Sequence, residues 1–406
     1  MVQSCKRSLA LIAGLAIGCL WLASCGSGVD RPEKLVPGDI QASDRFGMRT
    51  AATDNMVLAS APFHDRAGTD AGVVYVFRRR EAAWAMEKIY PPAEDSCQYF
   101  GTVLTLQNDR LVIGAHLKDA DARGAMKLYF YRRQNDKWQQ EGELIPYFKG
   151  APYQLHITAV AITDKRLAVG SPQNMVALYY ETAPGQWAPD TTLRHKDFKF
   201  PDQFGRSVAL EGDTCIVGAY AENKLGAVYA FQLRDSTWRR YRIASPDGKL
   251  GDAFGGRVAM ENGRVYISSP NFDLGAETIK KEYGAFYTFR FNGKKYIYQE
   301  TIAADQPLPN ARLGNLMAVH GGRIGTASFP PTNTQEERRS YIYLFFRTKT
   351  GQWEERRFHP PELPTRQMVG SAIALGSHYL VLGHPLAPNA KGKPTGAVWV
   401  YTRPWE

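Results

Sequence analysis

The chain has 406 residues, of which 44% are hydrophobic and 22% charged, and it can therefore bury a substantial core. Its formal net charge is +10 at pH 7, and the Lys and Arg residues are spread along the chain without a dense basic block. This dispersed charge argues against nucleic acid as a partner, and we expect none.

Residues 1–24 are predicted to be a lipoprotein signal peptide. A positively charged start is followed by an apolar run over 9–23, which is too short for a stable membrane span. The run ends in Leu-Ala-Ser-Cys at 22–25, which resembles the bacterial lipobox, the signal after which the cysteine becomes lipidated. The alternative is an ordinary signal peptide that is cleaved near the same place and gives Cys25 no role.

Residues 25–31 would then form the lipidated cysteine and a short tether. Gly26 follows the cysteine, and by resemblance to Gram-negative lipoproteins the absence of Asp there implies the outer membrane. Acyl chains anchor a protein by burying CH₂ groups in the bilayer, so a transmembrane segment is not required. We therefore expect a lipid-anchored protein of the cell envelope.

From residue 32 to residue 406 the chain repeats one pattern seven times. The repeat is anchored at Phe46, Phe100, His156, Phe204, Phe254, Leu313 and Val369, with spacings of 54, 56, 48, 50, 59 and 56 residues. The residue after the anchor is Gly in six copies, and Ile157 is the exception. The residues six and eleven positions after the anchor are apolar in every copy.

Each copy contains short apolar runs that are bounded by Gly and Asp turns, as in β-strands. A Trp or Tyr soon after the third run introduces a fourth strand in six copies, at Trp84, Trp138, Trp187, Trp238, Tyr296 and Trp353. A period near 50 with about four strands is typical of a β-propeller, in which neighbouring blades bury one another. We predict an all-β fold, a seven-bladed β-propeller.

The closure of the ring can also be predicted. The last copy ends at GAVWVYTRPWE, which leaves little chain for a fourth strand, whereas Leu35 occupies the position that Ile89 has in the next copy. We therefore predict that residues 32–37 form the outer strand of the seventh blade. This N-terminal strand would close the last blade.

The Phe-Gly pairs and the small-residue turns fourteen positions further on resemble the FG-GAP repeats of integrin alpha-subunit heads and bacterial envelope proteins. These turns are SAP at 60–62, GAH at 114–116, GSP at 170–172, GAY at 218–220 and SSP at 268–270. Integrin blades often carry a calcium cage between the first two strands. Here that connection is only about four residues and cannot supply six to eight oxygen ligands, so we expect no metal site and no cofactor.

Neither the cysteines nor the histidines indicate a catalytic or metal-binding constellation. Cys215 replaces an apolar core residue, and a disulfide with Cys97 is not expected because the two belong to non-adjacent blades. Asp119 and Asp121 alternate in one loop, which is interpreted as a polar loop rather than a metal contact. We expect a protein that is not an enzyme.

In integrins, the ligand binds the propeller face that carries the loops between the second and third strands and between blades. Here the aromatic residues of these loops concentrate around blades three and four and are interleaved with lysines. The candidate partner-binding residues are Tyr147, Phe148, Tyr153, Phe198, Phe200, Tyr220 and Phe272. The alternative is that these rings pack between blades.

The sequence thus predicts a lipid-anchored envelope protein that binds a protein or polysaccharide partner or acts as a scaffold. One alternative is an assembly factor in a stable complex with other envelope proteins. A second is a hydrolase or lyase that uses the central funnel, for which carboxylates or histidines should converge there. The oligomeric state, the ligand and the membrane leaflet stay open.

Overall fold

The computed structural model describes residues 31–81, 83–93, 96–118, 125–151, 155–195, 202–273, 282–329, 340–359 and 370–406. Within these ranges the chain forms seven sheets of four antiparallel strands each. The predicted signal peptide, the predicted lipidation site Cys25 and most of the predicted tether lie outside the described residues, as do Asp119 and Asp121.

The blades are numbered from 1 to 7 in the order of their anchors. Each blade has four strands, counted from the innermost to the outermost. The first, innermost strands are β2 (Thr50–Ala52), β6 (Cys97–Gln107), β10 (Ala159–Ile162), β14 (Val208–Glu211), β18 (Val258–Glu261), β22 (Ala318–His320) and β26 (Ala372–Leu375). The second strands are β3 (Met56–Ala61), β7 (Arg110–Leu117), β11 (Arg166–Ser171), β15 (Thr214–Ala219), β19 (Arg264–Ser269), β23 (Arg323–Ala327) and β27 (Tyr379–His384).

The third strands are β4 (Val73–Arg80), β8 (Met126–Gln134), β12 (Met175–Ala183), β16 (Ala227–Arg234), β20 (Ala285–Phe291), β24 (Ile342–Arg347) and β28 (Ala397–Thr402). The fourth, outer strands are β5 (Ala83–Ile89), β9 (Lys137–Leu144), β13 (Gln186–Arg194), β17 (Thr237–Ile243), β21 (Tyr296–Ile302), β25 (Trp353–Phe358) and β1 (Glu33–Leu35). A short 3-10 turn at Glu222–Lys224 lies between β15 and β16.

Each first strand contacts the first strands of both neighbouring blades, and β26 of blade 7 contacts β2 of blade 1. The sheets therefore form a closed ring, and the prediction of an all-β, seven-bladed propeller is confirmed. Buried side chains of adjacent blades form shared apolar clusters, so the core lies between the blades. No helix among the described residues is long and apolar enough to cross a membrane.

Strand β1 completes blade 7, as the sequence predicted. It pairs antiparallel with β28, with Leu35 opposite Val398, and the Leu35 side chain is buried. The carboxylate of Glu33 accepts hydrogen bonds from the Arg79 guanidinium at 2.6 Å and from the Trp84 indole at 3.0 Å, both in blade 1. The first residues of the propeller thus fasten the last blade to the first.

The Phe-Gly pair fastens neighbouring blades to each other. The six glycines that follow an anchor all have positive φ, between 73° and 102°, a conformation that residues with a Cβ rarely adopt. A second glycine before the third strand, such as Gly226 at φ 84°, packs against the anchor of the next blade. Gly226 forms a parallel bridge with Phe254, and a Cβ there would lie 2.2 Å from the Phe254 carbonyl oxygen.

The third copy departs from this pattern. His156 has the sequence position of the anchor, but it does not have the buried side chain of the other described anchors. His156 is exposed, whereas the adjacent Leu155 and Ile157 are buried in the apolar cluster of blades 2 and 3. Ile157 has a Cβ and does not adopt the positive φ of the six glycines. The chain therefore takes a different path here and buries the residues on either side of the histidine.

The two cysteines expected in the propeller do not form a disulfide with each other, and both are buried. Cys215 is fully buried in the apolar cluster between blades 3 and 4, as its place in the repeat predicted. Burial raises the pKa of its thiol, which keeps it protonated and unreactive.

Candidate functional site

The loops of the propeller divide into two faces. The upper face carries the connections between the second and third strands and those between blades, and the lower face carries the tight turns. The sequence placed the candidate partner site on the upper face around blades 3 and 4. Four of its seven residues, Tyr147, Phe148, Tyr220 and Phe272, are described by the structure, whereas Tyr153, Phe198 and Phe200 lie outside the described residues.

Tyr147 and Phe148 point in opposite directions although they are neighbours in the β9–β10 connection. The Tyr147 side chain is 62% exposed, whereas Phe148 is 2% exposed and packs in the apolar cluster of blades 2 and 3. The Tyr179 hydroxyl accepts a hydrogen bond from the Tyr147 amide at 2.6 Å and donates one to its carbonyl at 2.9 Å. Phe148 and Tyr179 thus fix the backbone that presents the Tyr147 ring to solvent.

Phe272 is also a core residue. It is 8% exposed and packs edge-on against Tyr287 in blade 5. The prediction that Phe148 and Phe272 are exposed for partner binding is therefore wrong. Both side chains are packed inside the protein, as the alternative predicted. The physical reason is that each ring fills space beside a buried aromatic of the third strand, which sequence position alone does not reveal.

Tyr220 lies at the upper end of the central channel rather than on the outer rim. Its ring lies under the guanidinium of Arg206, 5.4 Å from the ring centre. Tyr220 also partly counteracts the lowering of the pKa of Arg257 in blade 5. Tyr220 and Tyr147 are half-buried and exposed, respectively, and both are accessible from the upper face.

A polar cavity of about 490 Å³ on the upper face lies above blade 4. His195, Glu222 and Tyr229 form a buried network there. The His195 Nε2 atom is 2.9 Å from the Glu222 carboxylate and 2.6 Å from the Tyr229 hydroxyl, which in turn donates to Glu222 at 2.7 Å. Burial and the contact with Glu222 raise the pKa of Tyr229 to about 12, so its hydroxyl remains protonated.

The second oxygen of the Glu222 carboxylate is bound by a protein group as well. Arg242 donates two hydrogen bonds to the second oxygen of Glu222, at 3.1 and 2.9 Å. The Nδ1 atom of His195 faces the Asp202 carboxylate at 3.7 Å. This separation is too long for a hydrogen bond, and Nδ1 is buried without a hydrogen-bond partner among the described residues. The Nε2 atom, Glu222, Tyr229 and Arg242 form a connected network at the top of the blade. The sequence alone predicts only that His195 lies in a loop, and it does not reveal this network.

Blade 1 contains a related network, which supports the structural interpretation. Tyr75 has the same place on its third strand as Tyr229, and its hydroxyl donates to Asp39 at 3.2 Å. Lys88, opposite Tyr75 on β5, forms an ion pair with Asp39 at 2.6 Å, and His64 lies 3.4 Å from the same carboxylate. The same kinds of side chain thus recur in both blades, with the histidine and the carboxylate in different loops.

At its lower end the central channel opens into a cavity of about 1020 Å³. The residues six positions after the anchors line it as an apolar ring, at Ala52, Leu106, Leu210, Met260, Val319 and Leu375. The carboxylates at this mouth hold neighbouring turns together. Glu211 accepts a hydrogen bond from the Gly263 amide, and Glu261 accepts one each from Gly321 and Gly322.

The histidines at the lower mouth are used in the same way. His320 contacts the Ser377 hydroxyl at 3.0 Å, and His378 contacts the Asp54 carbonyl oxygen at 2.8 Å. These contacts link blade 6 to blade 7 and blade 7 to blade 1. Among the described residues, no group of three or more His, Cys, Asp or Glu side chains is arranged to hold a metal ion.

Two stretches of the chain match the FG-GAP repeat. They are residues 30–77 and 187–231, and each combines the outer strand of one blade with the first three strands of the next. A propeller of such repeats is typical of a protein-interaction scaffold. Comparison with curated proteins found no match.

Among solved structures, the chain is similar to the crystal structure of the computationally designed Ika8 protein, with 12% sequence identity and a TM-score of 0.48. The similarity covers 90% of this chain and 98% of the designed one.

Proposed function

We propose that this protein is a lipid-anchored scaffold of the cell envelope that binds a protein or glycan partner through the upper face of its propeller. The lipobox-like sequence that ends at Cys25 supports the anchor, and Gly26 favours the outer membrane. A seven-bladed ring of interdigitated blades supports the scaffold role, because it presents many loops on a rigid frame.

The observation that carries the binding proposal is the fixed, exposed ring of Tyr147. Aromatic side chains that are held in one position lose little conformational entropy on binding and are common binding hot spots. Both backbone groups of Tyr147 are bound by Tyr179, and the adjacent Phe148 is buried in the core. The exposed Ile145, two residues earlier, extends the apolar surface.

Binding is favoured over catalysis because the carboxylates at the lower end of the channel and in the blade 4 cavity are hydrogen-bonded to protein groups. Glu211, Glu222 and Glu261 all accept such hydrogen bonds. The Nε2 atom of His195 contacts Glu222 and Tyr229. A catalytic acid or base needs an atom within hydrogen-bond reach of the substrate. The hydrolase or lyase alternative is therefore the less favoured one.

The test is a crosslinking experiment on bacterial membranes that contain the full-length protein. A partner of the upper face should crosslink to the wild type and be lost with Tyr147→Ala. The matched control is Tyr298→Ala, which removes an exposed tyrosine from the outer strand β21. Equal recovery of the same partners with both variants would contradict the role of Tyr147.

The same membranes test the anchor and the assembly-factor alternative. A Cys25→Ser variant should leave the membrane fraction, because its acyl chains are absent. If it stays bound to the membrane as tightly as the wild type, the lipid anchor is wrong. An assembly factor would migrate in a stable complex after solubilisation, whereas a binding protein would release its ligand on dilution.

A further inference from the structure

Three arginines lie at the upper end of the central channel, where the first strands begin. Arg49 and Arg257 each follow their anchor by three residues, in blades 1 and 5, and Arg206 follows its anchor by two residues, in blade 4. In a ring of seven blades, blade 1 lies opposite blades 4 and 5. The three arginines therefore surround the channel from different sides, and the positive charges of Arg49 and Arg206 both act on Arg257.

Two of these arginines are held in the same way by the next blade. The Arg49 Nε donates to the Thr102 carbonyl oxygen at 3.0 Å, and the Arg257 Nε donates to the Asn315 carbonyl oxygen at 2.9 Å. Among the described residues, the guanidinium of Arg206 and the Nη atoms of Arg257 make no hydrogen bond. Carbonyl groups of the next blade thus position the side chains of Arg49 and Arg257, and N–H donors of Arg206 and Arg257 stay available for a ligand.

No carboxylate of the described residues lies within ion-pair distance of these three arginines. By contrast, the two arginines that are buried among the described residues are paired, Arg110 with Glu181 at 2.6 Å and Arg78 with Glu87 at 2.8 Å. Burial, together with the positive charges of Arg206 and Arg49, lowers the pKa of Arg257 to about 10. Positive charge is therefore concentrated here without a protein counter-charge.

We propose that the upper end of the channel is an oxyanion-binding site, in which Arg49, Arg206 and Arg257 bind a phosphate or carboxylate group. The guanidinium group presents paired donors that match the oxygens of both anions. Tyr220, under the Arg206 guanidinium, limits the positions that this side chain can take. The site is independent of the partner proposed for Tyr147, because a small anion can fill it alone.

The test uses the full-length protein in detergent, with inorganic phosphate and citrate as separate probes. Calorimetric titration should detect binding, and the ligand should raise the Tm because it binds only the folded state. In Arg257→Gln the affinity should fall by about tenfold or more, since a charge-assisted contact is lost. Tighter binding of phosphate or of citrate would identify the kind of anion that the site prefers.

Two further variants separate binding from folding. Arg206→Gln removes an exposed guanidinium that makes no described side-chain hydrogen bond, and it should weaken binding without lowering the Tm in anion-free buffer. Arg239→Gln removes an exposed arginine of β17 that pairs with Asp235, outside the channel, and it should leave binding unchanged. The proposal is overturned if phosphate and citrate fail to bind, or if all variants bind them like the wild type.

Discussion

At the residue scale, the glycines decide how closely neighbouring blades approach. Gly226 combines a positive φ with a parallel bridge to Phe254 of the next blade. A side chain there would meet backbone atoms, which cannot rotate away as the end of a flexible side chain can. The Phe-Gly pattern is therefore a packing requirement of the ring and needs no role in ligand binding.

We expect Gly226→Ala to destabilise the protein by about 3 kcal/mol or more, because left-handed backbone and overpacking both cost free energy. The matched control is Gly212→Ala, at φ 53° in a turn with nothing within 4 Å of the added Cβ. It should cost only about 1–2 kcal/mol, from the backbone conformation alone. Urea unfolding of both variants measures the difference, and equal losses would contradict the packing explanation.

At the scale of the element, strand β1 is short but its position makes it important. It covers the edge of β28, which would otherwise expose unpaired backbone groups. Leu35 enters the cluster between blades 7 and 1, and Glu33 binds Arg79 and Trp84 of blade 1. Three residues thus join strands that are more than 300 positions apart in the chain.

Deletion of residues 32–37 should lower the free energy of unfolding by roughly 3 kcal/mol, mainly through the lost burial of Leu35 and the lost contacts of Glu33. The exposed edge should also promote association between molecules. Thermal unfolding and light scattering measure both effects. Val36→Ser is the control, since Val36 is exposed just after the strand, and a similar loss in this variant would contradict the closure argument.

At the scale of the whole molecule, the third strands place large aromatic rings at equivalent positions around the ring. They are Tyr75, Tyr129, Tyr229, Tyr287, Tyr343 and Trp399, and all are buried. In four blades the ring packs on the anchor phenylalanine, with centre distances from 5.4 to 5.8 Å. Blade 3 has Ala177 at this position, which is a second departure of the third copy.

Buried and half-buried tyrosines of the third and fourth strands predict that the protein is sensitive to alkali. Burial raises the pKa of Tyr229, Tyr296 and Tyr343 from 10.0 to about 12, so the unfolded chain loses their protons at lower pH than the folded one. The stability they provide is complete below pH 10 and is lost as pH rises from 10 to 12. These three groups together lower the free energy of unfolding by about 4 kcal/mol per pH unit in this window. Tyr75 and Tyr287, whose pKa values burial raises further, make the fall steeper.

The measurement is the free energy of unfolding between pH 9 and 11, with tyrosinate absorbance recorded in parallel. Tyr343→Phe should reduce the slope by about 1.4 kcal/mol per pH unit, because one titrating group is removed. The Tyr343 hydroxyl is buried and makes no hydrogen bond, so the variant should keep its stability at neutral pH. An unchanged slope would contradict the prediction.

The sequence by itself determined the number of blades, the four strands in each and the closing role of residues 32–37. These follow from local patterns: apolar positions at fixed offsets, glycines that allow positive φ, and a last copy that lacks its outer strand. Each pattern is set within about 50 residues. The repeat pattern was therefore enough to predict the fold. Among the described anchors, it gave a wrong buried residue only in the third copy, where Ile157 replaces the glycine.

The candidate site was only partly predictable, because exposure depends on what neighbouring blades bring to a loop. Tyr147 and Phe148 are neighbouring aromatic residues, yet Tyr147 is exposed and Phe148 is buried. The difference arises because Tyr179 binds the backbone of Tyr147 and Phe148 packs in the cluster of blades 2 and 3. Arg49, Arg206 and Arg257 surround one end of the channel only because the closed ring places blade 1 opposite blades 4 and 5. Tertiary structure alone decided these contacts, because the residues involved are far apart in the chain.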